Sequence, residues 1–409
     1  MTRSTTPVQI FWNNLRGFVP ALPALATTAV LVACGGGLTN APTTPPPKAT
    51  PKTVFASGPI TGFGSVIVNG VRFEDSGATI DDEDDGSFTE AQLGLGMQVD
   101  VDGDGDNNDS AKGTAHTLHV HTALLGPVSA IDTTAGTLTV LGQTVTINAQ
   151  TAFDTGIPGG LGGITAGAVV RVHAQFDVAS HSYVATRIEL DADATHYKIR
   201  GTVTALDAVA KTLQIGATSI DYSTTANVPT TLAVGSVIVA KLTTTPVNGI
   251  WTATTIDDGH HDMHDHDEAN LHGVISAFTS VTQFSVDGNP VDASTATFPN
   301  GQTGIALGAT IEVEGQIVNG VVIAKAVQLQ DESQHDGQLI ELHGKISGLD
   351  TAAMTFVVRG VKVSYTGSVA FAHGTVAALA NDLFVEVKAG LSADGTIVVA
   401  TSIDLQPKD

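Results

Sequence analysis

The densest group of chemically active side chains in the sequence is a short tract of histidine and aspartate. It holds four histidines within seven residues, interleaved with carboxylates: His260, His261, Asp262, His264, Asp265 and His266. Imidazole nitrogens bind Zn²⁺, Cu²⁺ and Ni²⁺, and neighbouring carboxylates can orient the rings and neutralise the ion's charge. Met263 could add a thioether ligand for Cu(I). The tract therefore predicts a transition-metal site. The alternative is a solvated linker whose polar side chains stay in water.

A second polar stretch alternates aspartate with other residues. Four of its residues match the first, third, fifth and sixth positions of an EF-hand calcium loop: Asp100, Asp102, Asp104 and Gly105. The twelfth position is Ala111 instead of a bidentate glutamate, and no flanking helices are predicted, so a complete EF-hand is not expected. We expect a weaker calcium site at a hairpin tip, formed by the same aspartates with Asp106, or a polar tip without an ion. If these aspartates and the acidic run at 81–85 lie at the same end of the domain, calcium would also relieve the repulsion between the two groups of carboxylates.

Other side chains offer little support for catalysis. His119 and His121 share one face of a predicted strand, with His116 out of register, and such a pair can bind metal or stand on a solvated face. The sequence contains no Gly-x-Ser-x-Gly elbow, P-loop, dinucleotide fingerprint or His-Glu-x-x-His motif. We therefore expect a protein that is not an enzyme and uses no organic cofactor.

The elements that must position these residues are five copies of one unit. Each unit opens with a glycine followed two residues later by Ile or Val, and the copies lie about 70 residues apart. The opening glycines are Gly58, Gly126, Gly201, Gly273 and Gly344. An alternating apolar block ending in Gly follows, then a Gly-x-x-apolar-x-apolar block, in which Asn381 replaces the glycine of the fifth unit. Each unit closes on Ala with an apolar residue three positions later.

Within these blocks the apolar residues recur with a period of two, which is typical of half-buried strands. Asn69-Gly70 predicts a type I′ hairpin turn, and Asp287-Gly288 predicts another, lengthened by Asn289-Pro290. Thr89 to Leu93 could form a single helical turn. Five or six short strands cannot bury much core as a sandwich, whereas closure into a barrel removes exposed edges. We predict an all-β protein of five tandem, small, OB-like barrels, arranged as beads along the chain.

One stretch of the first unit resembles a known family. Residues 62–73, Gly-Phe-Gly-Ser-Val-Ile-Val-Asn-Gly-Val-Arg-Phe, look like the hallmark of the bacterial domain-of-unknown-function family 5666. The other four units match it more loosely, and together the units cover roughly residues 57 to 405. Members of that family are similar in being secreted, lipoprotein-like and built from tandem copies. The resemblance implies an architecture and no activity.

The N-terminus indicates export. Arg3 and Arg16 precede a largely apolar stretch that ends in Leu31-Val32-Ala33-Cys34. This ending resembles the lipobox of bacterial lipoproteins, which implies that Cys34 is acylated and becomes the first mature residue. An ordinary secretory signal or a membrane span is the alternative, but the apolar stretch is short for a span. With Gly35 next, the analogy favours anchoring in the bacterial outer membrane, and the Pro/Thr-rich stretch that follows predicts an extended tether.

These features divide the chain into eight predicted segments. They are a signal peptide at 1–33, a lipid-anchored tether at 34–56, β repeats at 57–122, 123–192 and 197–257, a His/Asp-rich linker at 258–269, and β repeats at 270–330 and 340–406. The polar connections at 191–196 and 330–338 suggest partial freedom between repeats. Cys34 is the only cysteine, so no disulfide can join them.

Composition narrows the range of partners. The chain has 41 acidic and 18 basic residues, a net charge of −23, and only 5% aromatic residues. Binding to nucleic acid is therefore not expected, because OB-like folds use basic grooves and stacking aromatics for it. We expect an exported, lipid-anchored, non-enzymatic array in the cell envelope that acts as a spacer or ligand-binding module, with divalent cations at its acidic and His-rich loops. It would contact the membrane through its anchor, and an envelope protein or a glycan.

The alternative from a different class is a periplasmic transition-metal-binding protein that uses the linker from His260 to His266. A hydrolase is the third and weakest hypothesis.

Overall fold

The structure, a computed structural model, describes residues 51–82, 86–178, 180–259, 263–330 and 340–405. The predicted signal peptide, Cys34 and the tether up to residue 50 lie outside the described residues. None of the helices in the described part of the chain has the length and apolar character of a membrane span.

The described residues form five barrels. Barrel 1 contains β1 (Lys52–Phe63), β2 (Val66–Val68), β3 (Val71–Glu74), β4 (Thr79–Asp82), β5 (Gly86–Ser87), β6 (Gln98–Asp106) and β7 (Asp109–His121). Barrel 2 contains β8 (Leu124–Asp132), β9 (Thr137–Val140), β10 (Gln143–Thr146), β11 (Ala152–Phe153), β12 (Val169–Asp177) and β13 (Ser182–Leu190). Barrel 3 contains β14 (Tyr197–Asp207), β15 (Thr212–Ile215), β16 (Thr218–Asp221), β17 (Val237–Leu242) and β18 (Trp251–Asp258).

The last two barrels repeat this layout. Barrel 4 contains β19 (His266–Ser280), β20 (Gln283–Val286), β21 (Asn289–Asp292), β22 (Thr310–Val318) and β23 (Val321–Leu329). Barrel 5 contains β24 (Ile340–Asp350), β25 (Thr355–Val358), β26 (Val361–Ser364), β27 (Ala370–Ala372), β28 (Phe384–Leu391) and β29 (Val398–Asp404). The helical segments of the described residues are single 3₁₀ turns at Glu90–Gln92, Gly160–Gly163 and Val376–Ala378. The first of them lies within the helical turn predicted from Thr89 to Leu93.

Every barrel closes with the same strand order. In barrel 1, β1 pairs antiparallel with β2, and β2 with β3; β3 runs parallel to β7, which pairs antiparallel with β6; and β6 closes the ring against β1. The other four barrels repeat these five pairings with their own strands. Closure pairs the barrel edges with one another. The predicted all-β, OB-like barrels are confirmed.

The repeat landmarks mark the first hairpin of each barrel. Asn69 and Gly70 both have positive φ (51° and 75°), as the predicted two-residue turn requires. The side chain of the first turn residue folds back over the opening glycine, so that a Cβ on Gly58 would lie 2.5 Å from Asn69 Oδ1. A Cβ on Gly273 would likewise collide with the carboxylate of Asp287. In these two barrels the opening residue is glycine because the turn side chain occupies the space of its Cβ, whereas in barrel 3 Ile215 and Tyr183 occupy the space beside Gly201.

Two sequence predictions about turns are wrong in detail. In the fifth unit, the residue that takes the left-handed conformation is Asp382 (φ 66°), not Asn381, and its N–H donates to the Ile346 carbonyl just as that of Gly96 donates to Ile60. An Asp can replace Gly here because it tolerates this conformation better than most residues.

The Asp287-Gly288 turn is not lengthened: Pro290 lies inside β21 opposite Ser285, beside the pair that closes the turn. Antiparallel ladders alternate hydrogen-bonded and non-bonded pairs, so a proline fits at the latter.

The barrels pack against one another, whereas the polar connections in the sequence suggested partial freedom between repeats. β1 runs parallel to both β19 of barrel 4 and β24 of barrel 5, and β8 of barrel 2 pairs with β14 of barrel 3. One apolar core spans barrels 1 and 5, a second spans barrels 2 and 3, and a third joins barrel 4 to Phe55 of barrel 1. Backbone ladders and shared cores hold the described body together.

These ladders also move two predicted boundaries. β1 begins at Lys52, within the predicted tether, and β19 begins at His266, within the predicted linker. Lys52 pairs with Gly105 and His266 with Ile317 inside their own barrels, and the inter-barrel ladder then joins Val54–Ser57 to Glu268–Leu271. Strand pairing satisfies backbone groups that a tether or linker would leave to water.

Candidate functional site

The His/Asp tract is divided by the structure. His260, His261 and Asp262 lie outside the described residues. His266 Nε2 donates to Asp102 Oδ1 at 2.8 Å, and its Nδ1 donates to the His264 carbonyl at 2.8 Å. Asp265 accepts a 2.6 Å bond from the N–H of Asn319. Two of the predicted metal ligands, His266 and Asp265, therefore make contacts that attach the tract to barrels 1 and 4.

The bond between His266 and Asp102 joins barrel 4 to barrel 1. It is the main cause that raises the pKa of His266 above its usual value; burial opposes this, and the Asp265 charge adds to it. Only 9% of the His266 side chain is exposed. The imidazolium form therefore stabilises this junction.

The predicted calcium ligands lie along β6, between β1 and β7, and only Asp106 adjoins the hairpin tip. Three of them face separate imidazoles: Asp100 lies 3.0 Å from His121, Asp102 binds His266, and Asp104 lies 3.3 Å from His116. Asp106 accepts the N–H of Asn108 at 2.7 Å. Within the described ranges, no three His, Asp or Glu side chains are grouped so that they could hold a metal ion.

A β-bulge explains why His116 also faces this row. Asp102 pairs with Thr117 and Gly103 with Ala115, so His116 is the extra residue of the bulge. The parity argument from the sequence, which placed His116 out of register with the other two histidines, could not include this insertion. His119 contacts Asp81 at 2.5 Å, and each of the three histidines thus has its own carboxylate.

A pocket with both polar and apolar walls lies at the junction of barrels 1 to 4, and no sequence motif indicates it. Its volume is about 90 Å³, where one water needs about 10–15 Å³ on the same measure, so it can hold several waters or a small organic molecule. Its polar lining includes Ser57, Asp100, His121, Gln175, Arg200, Thr202, Asp287 and Asn289. No local pattern could reveal it, because four separate repeats supply these residues.

One wall of the pocket is aromatic. The rings of Phe176 and Tyr183 lie 4.9 Å apart, and the Tyr183 hydroxyl donates to the Arg200 carbonyl at 2.5 Å. Burial raises the pKa of Tyr183, which therefore stays neutral. The Arg200 guanidinium donates to the carbonyl of Gly259 at 2.6 Å, which fixes its position beside the pocket.

Asp287 brings a titratable carboxyl into the pocket from the first turn of barrel 4. It lies deep among the barrels, yet its side chain keeps some exposed surface because the pocket reaches it. Burial raises its pKa to about 7, and the Asp100 charge adds to this; the N–H of Val274 and the charge of Arg200 oppose it. Near neutral pH the carboxyl can therefore donate or accept a hydrogen bond.

Several polar groups of the pocket have unused hydrogen-bonding capacity. Asn289 is only 4% exposed, and among the described residues its side-chain amide has no hydrogen-bond partner. The same holds, within the described part of the chain, for Oδ2 of Asp287 and the hydroxyls of Ser57 and Thr202. A buried polar group without a partner costs about 1–3 kcal/mol, so such groups are typical of places where another molecule supplies the bond.

Comparison with known proteins matches three of the five repeats to one family model. A family model described as "Domain of unknown function (DUF5666)" matches residues 126–189, 272–328 and 343–404, which lie in barrels 2, 4 and 5. Three regions of the chain therefore match this family model in tandem. Residues 62–73, which carry the resemblance in the sequence, lie outside the matched ranges, although barrel 1 closes with the same strand order as the matched DUF5666 barrels.

Other comparisons add no function to the matched regions. No curated protein matches the chain in sequence. A solved structure titled "drosophila Unr CSD456" is 12% identical and covers 52% of this chain and 98% of its own, with a TM-score of 0.14. A likeness at that TM-score carries no argument about fold or ligand.

Proposed function

We propose that this protein is an exported, lipid-anchored, non-enzymatic binding module of the bacterial outer membrane, and that the pocket between barrels 1 to 4 is its ligand site. The observation that carries the proposal is the convergence on one small pocket of polar atoms from three barrels that have no partner in the described residues: the side-chain groups of Ser57, Thr202 and Asn289, and Oδ2 of Asp287. A buried amide with no protein partner needs a molecule in the pocket, water or ligand, to satisfy its hydrogen bonds.

The packing of the barrels supports binding over a role as a simple spacer. A spacer needs length, and barrels joined by flexible connections would supply that length. Here β1 pairs with strands of barrels 4 and 5, and Gln143 of barrel 2 donates to Ile215 of barrel 3 at 2.8 Å. Such contacts hold pocket walls from different barrels at fixed distances, which a binding site needs.

Partners follow from charge and anchoring. Acylation of Cys34 would hold the protein at the membrane, and the net charge of −23 disfavours nucleic acid. An envelope glycan or an envelope protein carrying the ligand is the proposed partner.

The proposal is tested on the full-length protein in detergent, by calorimetric titration with a panel of small sugars, amino acids, inorganic phosphate and divalent cations. We expect at least one organic or phosphate probe to bind the native protein and to lose at least ten-fold in affinity in Thr202→Val and Asn289→Leu. Thr212→Val is the matched control, because Thr212 is also half-buried and without a side-chain partner in the described residues, but lies on β15 outside the pocket. Equal affinities in all variants would refute the pocket as the ligand site.

The competing function is transition-metal binding by the His260 to His266 tract. One observation favours it: within the described residues the His264 side chain is exposed and has no partner. Zn²⁺ titration of a His260→Ala, His261→Ala, His264→Ala variant distinguishes the two, since it spares His266 and its bond to Asp102. Loss of Zn²⁺ affinity in this variant, with no organic probe bound by the native protein, would favour the metal function.

A further inference from the structure

We infer that the pocket binds a neutral, polyhydroxylated molecule about the size of one sugar residue. The inference rests on the proposed function, because it names the ligand class of the same site. Three properties of the pocket carry it: the type of its unused hydrogen-bonding groups, the balance of its charges and its apolar wall.

The unused groups suit hydroxyls. The Asn289 amide offers both donors and an acceptor, and the hydroxyls of Ser57 and Thr202 each donate and accept. A sugar hydroxyl also donates and accepts, so it can satisfy each of these groups. Sites whose buried polar groups need a hydroxyl discriminate strongly against analogues that lack it, because the groups are then left unpaired.

The charges disfavour ionic ligands of either sign. The Asp100 and Asp287 carboxyls face the pocket, and each repels a phosphate or carboxylate when it is ionised. The Arg200 guanidinium, already bound to the Gly259 carbonyl, would repel an amine and offset the carboxylates. A neutral ligand avoids both penalties.

The rest of the wall suits the carbon skeleton of such a ligand. Phe176 is half-buried beside Tyr183, and Ala174, Val178 and Val237 also line the pocket. Binding sites typically combine an apolar wall with a few placed polar groups, and the volume of about 90 Å³ limits the occupant to a small molecule or one unit of a polymer.

The test is calorimetric titration of the full-length protein with glucose, galactose, mannose and N-acetylglucosamine, beside glycine and inorganic phosphate. We expect at least one sugar to bind, and Asn289→Leu and Thr202→Val to weaken it at least ten-fold while Thr212→Val does not. The thermal midpoint of Asn289→Leu should stay the same or rise, because the variant removes a buried group that lacks a protein partner.

The outcomes separate the two proposals. If glycine or phosphate binds in a way that the pocket variants abolish, and no sugar does, the pocket is a ligand site but the inferred class is wrong. If no probe binds, or if none is sensitive to the variants, both proposals are wrong. A large fall in the thermal midpoint of Asn289→Leu would show that the amide serves the fold, and it would overturn the inference as well.

Discussion

The contact between His266 and Asp102 predicts that the junction of barrels 1 and 4 weakens as pH rises. The pKa of His266 is raised in the folded protein, chiefly by its bond to Asp102. Because this pKa is raised, protonated His266 contributes its full stabilisation at pH values below the unfolded-state pKa of about 6.5. The stabilisation is lost as pH rises through the pKa of the folded state. The stabilisation therefore belongs to mildly acidic conditions.

The magnitude follows from the geometry. The bond is 2.8 Å long, with 9% of the His266 side chain and 33% of the Asp102 side chain exposed. A charge-assisted hydrogen bond contributes about 1.5–3 kcal/mol when well buried, and exposed pairs contribute about 0–1 kcal/mol. For this partly exposed pair we expect a coupling of about 1 kcal/mol at pH 5.5 and less than half of that at pH 8.5.

The assay is a double-mutant cycle of His266→Gln, Asp102→Asn and their combination, measured by urea unfolding at both pH values. The cycle isolates the pair from the bond that His266 makes to the His264 carbonyl. A coupling that is equal at the two pH values, or larger at pH 8.5, would refute the assignment of the imidazolium to this junction.

Two further predictions test the pocket carboxyl and the repeat glycine. Asp287→Asn should raise the free energy of unfolding by about 1–2 kcal/mol at pH 8.5 and change it little below pH 4, because a carboxyl whose pKa is raised to about 7 stabilises the fold only while protonated. Thermal melts at both pH values measure this difference. An effect confined to low pH would contradict the prediction. Gly58→Ala should cost about 1–3 kcal/mol because its Cβ would collide with the Asn69 amide. In Gly390→Ala, the matched control with open space around the site, the change should be about 0.5 kcal/mol or less.

Local chemistry made the barrels predictable. The Asn69-Gly70 turn and the two-residue period depend only on neighbouring residues, and they specify a hairpin of half-buried strands. Closure into a barrel was inferred from the need to pair the exposed sheet edges. The prediction of which side chains share a strand face failed at the bulge at His116, which reverses the face of the residues beyond it. No residue pattern in the sequence indicates such an insertion.

The pocket could not be predicted because it exists only through packing between repeats. Thr202 and Asn289 lie in barrels 3 and 4, and each would pass as an ordinary polar strand residue. Their convergence depends on which barrel faces which, and that arrangement is set by pairings such as β1 with β19. Periodicity within a repeat contains no information about such contacts.

The first residue of the hairpin turn shows how copies of one barrel acquire different roles. In barrel 1 this residue is Asn69, which donates to the carbonyls of Ser57 and Asn270 and ties barrel 1 to barrel 4. In barrel 2 it is Leu141, buried in the core, and in barrel 5 it is Arg359, which binds Glu90. In barrel 4 it is Asp287, in the pocket. The backbone fixes this side chain above the opening glycine in each of these copies. A single substitution there can therefore exchange a contact within the fold for one that lines the pocket, without altering the barrel.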